Sequence, residues 1–258
     1  MRAFITTSQL PFLPRAQRGL TLVELMVAMV LSLLLSAGVI VLFVGSGQNT
    51  RFNEGLARVQ ENGRFAIDVI THDTRMAGYV SLLDPPGTVP QAVDGLDNVP
   101  INHQEGGRTV VEGTDVLILS AVPDEDVSGQ EQVFAEVRYF LSVRQNAPVP
   151  SLYRFVRTQA GATRVEEVVE GVANLQILYG ENTDDDAPNR IDRYVAAGAV
   201  DDWNRVLSVR LSMLLVSPDD NVLETSQTIS FNGSDVNPGD RRLRQVVTTT
   251  IAVRNNLR

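Results

Sequence analysis

Residues 15–45 read RAQRGLTLVELMVAMVLSLLLSAGVIVLFVG, and between Leu20 and Val44 this stretch carries a single charged side chain, Glu24. A helix of about 25 residues, rising about 1.5 Å per residue, reaches roughly 37 Å and can cross a hydrocarbon core about 30 Å thick. Arg15 and Arg18 stand just before the run, so its N-terminal side is expected to stay in the cytoplasm and the remainder to be exported. A cleaved secretory signal has a shorter apolar region followed by a small-residue cut site, whereas here Ser36-Ala37-Gly38 lies inside the run. A plain signal anchor fits the length. It leaves Glu24 unexplained, because an ionisable group in a membrane span is costly and usually functional. A carboxylate in the first helical turn does suit the positive end of the helix dipole.

The string from Arg18 to Met26, RGLTLVELM, resembles the type IV prepilin motif. In that family a dedicated peptidase cuts after the glycine on the cytoplasmic side. The new terminal residue is N-methylated, and the glutamate is the fifth residue of the mature chain. The resemblance therefore implies processing after Gly19, methylation at Leu20 and an assembly role for Glu24. Leu20 departs from the phenylalanine commonest there, but it is apolar and processing is expected to survive. Gly19 has no side chain to obstruct a peptidase. Cutting there creates a cationic amine in low-dielectric surroundings, and Glu24 can supply the counter-charge in the same subunit or in the next.

The chain has 258 residues, 43% hydrophobic and 21% charged, and its basic side chains are all arginine. Its net charge is −9. The first nineteen residues hold three arginines and no acid, so the rest carries 19 arginines against 31 acidic side chains, or −12. An acidic body argues against broad nucleic-acid binding. Arg241, Arg242 and Arg244 form a local basic cluster, read as a solvated strand edge or as a contact of an adhesion or DNA-uptake module. Without cysteine there is no disulfide framework and no thiolate metal site.

Beyond the apolar run the helical pattern is expected to continue to about Tyr79. Phe52, Leu56 and Val59, then Ile67, Ile70 and Thr74, form an apolar stripe, with Glu54, Arg58, Glu61, Arg64 and Asp68 on the other side. Gly45, Gly47, Gly55 and Gly63 read as weak points where the helix bends or melts, and Gly78 as its stop. Asp84 to Gly107, with four prolines, reads as a long irregular connection. Strands are expected over residues 114–122, 132–143, 151–158, 206–216, 227–231 and 245–253, with a further one at 175–179. The fold class is α+β: a long N-terminal helix packed on a mostly antiparallel sheet head. The divisions are a leader at 1–19, a membrane or filament-core helix at 20–44, an amphipathic continuation at 45–79 and a β-rich head at 80–258.

Three stretches resemble PilW-type minor pilins: QENGRFAIDVITHDTRMAGY at 60–79, EGVANLQILYG at 170–180 with the acidic loop after it, and RRLRQVVTTTIAVRN at 241–255. The resemblance implies a low-abundance structural subunit, not an enzyme. It would sit in the inner membrane with a periplasmic head and enter a pilus. Its implied partners are other minor pilins, the major pilin, the prepilin peptidase, the inner-membrane assembly platform and the membrane. A type II secretion pseudopilin shares the layout and is the nearest alternative. Many relatives carry cysteine after the Met-Ala-Gly-Tyr stretch, where this chain has Val80 and Ser81.

No cofactor is expected, with one exception to weigh. Asn182, Asp184, Asp186 and Asp192 alternate oxygen side chains as the start of a calcium loop does. The glycine and glutamate that complete the EF-hand pattern are Ala187 and Arg193 here, so a solvated acidic turn is the competing reading. His72 and His103 have no evident nucleophile partner, Gly106-Gly107 lacks the lysine of a phosphate loop, and Trp203 reads as a core residue.

Overall fold

A computed structural model of the chain describes residues 19, 21–80, 91–121, 135–158, 161–184 and 189–256. The chain forms two compact units, residues 1–48 and 49–258. Helix α1 (Leu22–Met76) supplies the first and opens the second. It starts where the sequence offers an N-cap: the Glu24 N–H donates to Thr21 Oγ1 at 3.3 Å and the Thr21 N–H donates to Glu24 Oε2 at 3.4 Å. This reciprocal pair satisfies two of the orphan donors at a helix start. From Leu22 to Val44 the large apolar side chains are exposed on every side, Phe43 at 79%. Among the described residues α1 is the one helix long and apolar enough to cross a membrane.

In the second unit the buried line of α1 is Gly55, Val59, Gly63, Ala66, Ile70, Asp73 and Thr74. The expected stripe is half right. Val59 and Ile70 are buried, but Phe52 is exposed and the line is built mostly of small residues. The glycines are also corrected: α1 is continuous through all four. A Cβ on Gly55 would lie 2.7 Å from Val222 Cγ1, and one on Gly63 would lie 2.4 Å from Leu215 Cδ1. These two glycines let the helix come close to its neighbours, so they are seats and not breaks. The helix ends at Met76, and two residues on stands Gly78, whose φ of +74° disfavours a side chain and whose N–H donates to Ser120 O at 2.8 Å.

The strands are β1 (Val93–Leu96), β2 (Gln104–Glu105), β3 (Arg108–Thr109), β4 (Val116–Ser120), β5 (Glu136–Ser142), β6 (Ser151–Arg157), β7 (Thr163–Glu170), β8 (Val172–Glu181), β9 (Arg193–Val195), β10 (Val206–Val216), β11 (Ile229–Phe231), β12 (Ser234–Val236) and β13 (Arg244–Ala252). They make two antiparallel sheets, ordered β1-β4-β5-β6-β7 and β13-β10-β8-β9, plus the hairpins β2-β3 and β11-β12. The connection expected to be irregular over 84–107 therefore holds β1 and β2; its residues 84–90 lie outside the described ones. The chain changes sheet at Gly171, between β7 and β8, with φ of +79°. A Cβ there would stand 2.4 Å from Val216 O, so only glycine fits the crossing.

The core lies between the two sheets and the buried line of α1. Alternation along β10 sends Val209, Leu211, Met213 and Leu215 into it, against Leu175 and Ile177 of β8 and Val59, Ala66 and Ile70 of α1. Fully burying one such side chain is worth about 1.5–3 kcal/mol, which is why β10 and β8 are legible as strands from their apolar residues. A second cluster of Val99, Val110, Val116, Phe140 and Tyr153 sits apart from this core, with Phe155 and Val165 packed on it.

Candidate functional site

Helix α1 sets a carboxylate among apolar side chains at two places, its first turn and the last turns of its buried line. At the first, Gly19 is exposed and a Cβ on it would meet nothing within 4 Å. Nothing in the described chain requires glycine there. Leu20 lies outside the described residues. Glu24 is exposed, holds the cap described above and stands alone among the apolar side chains of its helix half.

At the second place Asp73, 2% exposed, takes the Arg154 Nε–H at 2.7 Å and also accepts from the Tyr139 hydroxyl. Arg154 of β6 reaches Glu166 of β7 as well, at 3.0 Å. Burial pushes the Tyr139 hydroxyl well above its ordinary value, and the Asp73 charge adds to that. Burial pulls the Arg154 guanidinium down, but the hydrogen bond and charge of Asp73 outweigh it and hold the cation above its ordinary range. The cluster ties α1 to the five-stranded sheet by three polar side chains at one point. Sequence reading missed it, though a signal was present: Asp73 falls three residues after Ile70, on the apolar line itself.

The described residues on either side of the acidic loop's centre bond to one another and to the sheet. Glu181, 1% exposed, accepts the backbone N–H groups of Asp201 and Asp202 at 3.0 and 2.8 Å and the Arg193 guanidinium at 2.9 Å. Asp192 Oδ2 accepts from the Thr183 N–H at 2.8 Å, and its Oδ1 accepts from Arg190 Nε at 2.9 Å. Arg190 also reaches Asp184 at 3.4 Å. The Thr183 backbone hydrogen bond, then Arg190, hold the Asp192 carboxyl below its ordinary range. Asn182 is buried and its N–H donates to Arg205 O at 3.1 Å. Asp186 lies outside the described residues, and among the described ones no three His, Cys, Asp or Glu side chains group as metal ligands do.

The arginine cluster is solvated only in part: Arg241 is exposed, Arg242 half-buried and Arg244 buried. Arg244 is 6% exposed and makes a two-pronged pair with Asp240, at 2.6 and 2.7 Å. Arg242 donates to Ser217 O at 3.0 Å, and Arg241 is bonded to Asn221. The Arg244 hydrogen bond draws the Asp240 carboxyl below its ordinary value. His72 is exposed, and His103 lies 3.0 Å from Glu105. Trp203 packs edge-to-face on Tyr179, with ring centres 4.8 Å apart, against the core.

Comparison with known proteins gives two family matches: Type IV Pilus-assembly protein W over residues 138–255, and the prokaryotic N-terminal methylation motif over residues 14–40. No curated protein matches the chain. A type IV-like pilin from Thermus thermophilus aligns at 14% identity and a TM-score of 0.44, covering 78% of this chain and 99% of its own. A chain of the GspK-GspI-GspJ complex from the enterotoxigenic Escherichia coli type 2 secretion system aligns at 8% identity and a TM-score of 0.31, covering 73% and 96%.

Proposed function

We propose that this chain, which is similar to PilW-type minor pilins, is a prepilin cut after Gly19, methylated at Leu20 and built into a type IV pilus as an assembly subunit. The observation that carries the reading is the pair Gly19 and Glu24. The described chain places no demand for glycine at 19, and a residue without a side chain leaves its backbone open to a peptidase. Glu24 is the one charge in a helix half whose side chains otherwise suit only lipid or other apolar helices.

On this reading the arginine-bearing leader stays in the cytoplasm, the apolar helix is held in the inner membrane and the head is periplasmic. Extraction into the filament replaces lipid by the apolar helices of other pilins. The amine freed at Leu20 is then paired by Glu24 of the same or a neighbouring subunit, which fixes axial register. The head's part is to place the subunit among other pilins.

The test is to express Gly19→Ala and Glu24→Ala chains in the native host, follow precursor size on gels and pili by shearing, and sequence the mature end by mass spectrometry. Gly19→Ala is expected to leave the full-length precursor, and Glu24→Ala to be cut but to fail in assembly. A native protein beginning at Met1, or normal pili with Glu24→Ala, contradicts the reading.

A further inference from the structure

We propose that the outer edge of β13 takes an extended strand from a neighbouring, non-identical filament subunit, which joins the four-stranded sheet by backbone pairing. The inference rests on the filament reading above and names the contact through which the head would engage its partner. β13 ends its sheet, pairing with β10 on one side over nine residues without a register shift. Leu243 O accepts from the Ser217 N–H and the Val253 N–H donates to Leu207 O, so odd-numbered residues here face β10. Alternation then turns the N–H and C=O of Arg244, Val246, Thr248, Thr250 and Ala252 outward.

The first of these residues shows what the edge accepts. The Arg244 N–H donates to Gln227 Oε1 at 2.8 Å, and its carbonyl accepts from Gln227 Nε2 at 3.1 Å. One side-chain amide thus makes the two bonds that a residue of an adjoining strand would make. Beyond it, among the described residues, no group bonds to the outward backbone of Val246, Thr248, Thr250 or Ala252, and the last three are exposed. The side chains of this edge, QVVTTTIA from Gln245 to Ala252, carry no charge.

The other sheet edges differ. β7 carries Arg164, Glu166, Glu167 and Glu170, β1 has four residues and β9 three. Charge and shortness are the ordinary devices that prevent edge pairing, and past Arg244, whose charge is paired with Asp240, β13 has neither. A long, β-branched edge, uncharged past Arg244 and with a vacant backbone ladder, fits an extended peptide backbone. A second copy of this chain fits poorly. Gly63 lies beside Val247, and Asn255 Nδ2 donates to Ala77 O, so α1 and β13 run in the same direction. Two-fold pairing of β13 with itself would set two such helix segments antiparallel, whereas subunits entering one filament from one membrane run theirs parallel. Two bodies of net charge −12 would also repel.

The test uses the full chain in the native host, with a photo-crosslinking residue at Thr250 or, separately, at Leu33 in the apolar helix. Both are expected to capture another exported subunit that begins with an N-methylated residue, and the peptide joined at Thr250 should come from a strand of that subunit. Thr248→Pro removes one outward N–H and spares the ladder to β10, and Thr248→Lys keeps the backbone and adds an edge charge. Each is expected to lower capture from Thr250 at least about tenfold and to leave capture from Leu33 unchanged. Capture from Leu33 without capture of a pilin-like subunit from Thr250 overturns the inference while the filament reading stands. Capture only of a second copy from Thr250, or capture indifferent to both variants, also overturns it. No pilin captured from either position sinks the filament reading and this inference with it.

Discussion

Replacing Asp73 by alanine removes the carboxylate on which two buried partners depend. Arg154 keeps only Glu166, at 3.0 Å and in a more exposed position, and the Tyr139 hydroxyl keeps only a 3.5 Å approach to Val69 O. Breaking one side of a buried ion pair costs about 3–5 kcal/mol, and the surviving Glu166 contact reduces the expected loss to about 2–4 kcal/mol. Removing both charges is a different perturbation. Asp73→Leu with Arg154→Met leaves no uncompensated ion, and the double variant is expected within about 1 kcal/mol of wild type. Trp203 is the sole tryptophan and packs on Tyr179 in the second unit, so its fluorescence reports unfolding of that unit in urea with the full chain held in detergent. The reasoning fails if Asp73→Ala costs less than about 1 kcal/mol, or if the double variant is no more stable than the single one.

Gly63→Ala separates local from tertiary energetics. Helix propensity favours alanine by about 1 kcal/mol, but the added Cβ would fall 2.4 Å from buried Leu215 Cδ1, so a net loss of about 1–2 kcal/mol is expected in the same urea assay. At Gly47 a Cβ meets nothing within 4 Å, so Gly47→Ala is expected to leave the Trp203 midpoint unchanged. Acid provides a further check. Asp240 has its folded value drawn below the ordinary 3.8 by the Arg244 hydrogen bond, so its contribution is present above about pH 4 and lost as pH falls through the folded value. Asp240→Asn is expected to flatten that part of the acid limb, and an unchanged acid limb would contradict the pairing.

Much of the fold was legible because burial writes itself into period and apolarity. β10 is expected over Val206–Val216 and found there, since its core-facing side chains alternate and its other face is also largely buried. β7 escaped because TRVEEVVE is an edge strand, where charges prevent further pairing and mask the alternation. β9 and β12 are three residues each, too short for any period to register. β1 contains Asp94 and Gly95, and that glycine lies so close to the Tyr179 hydroxyl that no side chain fits. At the N-terminal end, Gly19 and Glu24 were legible as part of a motif, and the N-terminal methylation family matches there. The Asp73–Arg154–Tyr139 cluster was not, because its members lie on α1, β6 and β5, far apart in sequence.

The misread glycines show how two energies of different size act on one helix. Propensity is a local quantity, and a glycine in a helix loses about 1 kcal/mol whatever surrounds it. Close packing is collective: a helix brought near a sheet gains contacts along its whole buried line, each small and together larger than the local loss. Between Leu22 and Val44 large side chains point outward on every side, as a helix meeting lipid or other helices requires. From Gly55 to Thr74 the buried line has Gly55, Gly63 and Ala66, which set the depth of the helix against Val222 and Leu215. Small residues fix depth but not position along the axis, since a smooth line can slide. Asp73 closes that freedom, because its carboxylate meets Arg154 and Tyr139 at one axial setting only.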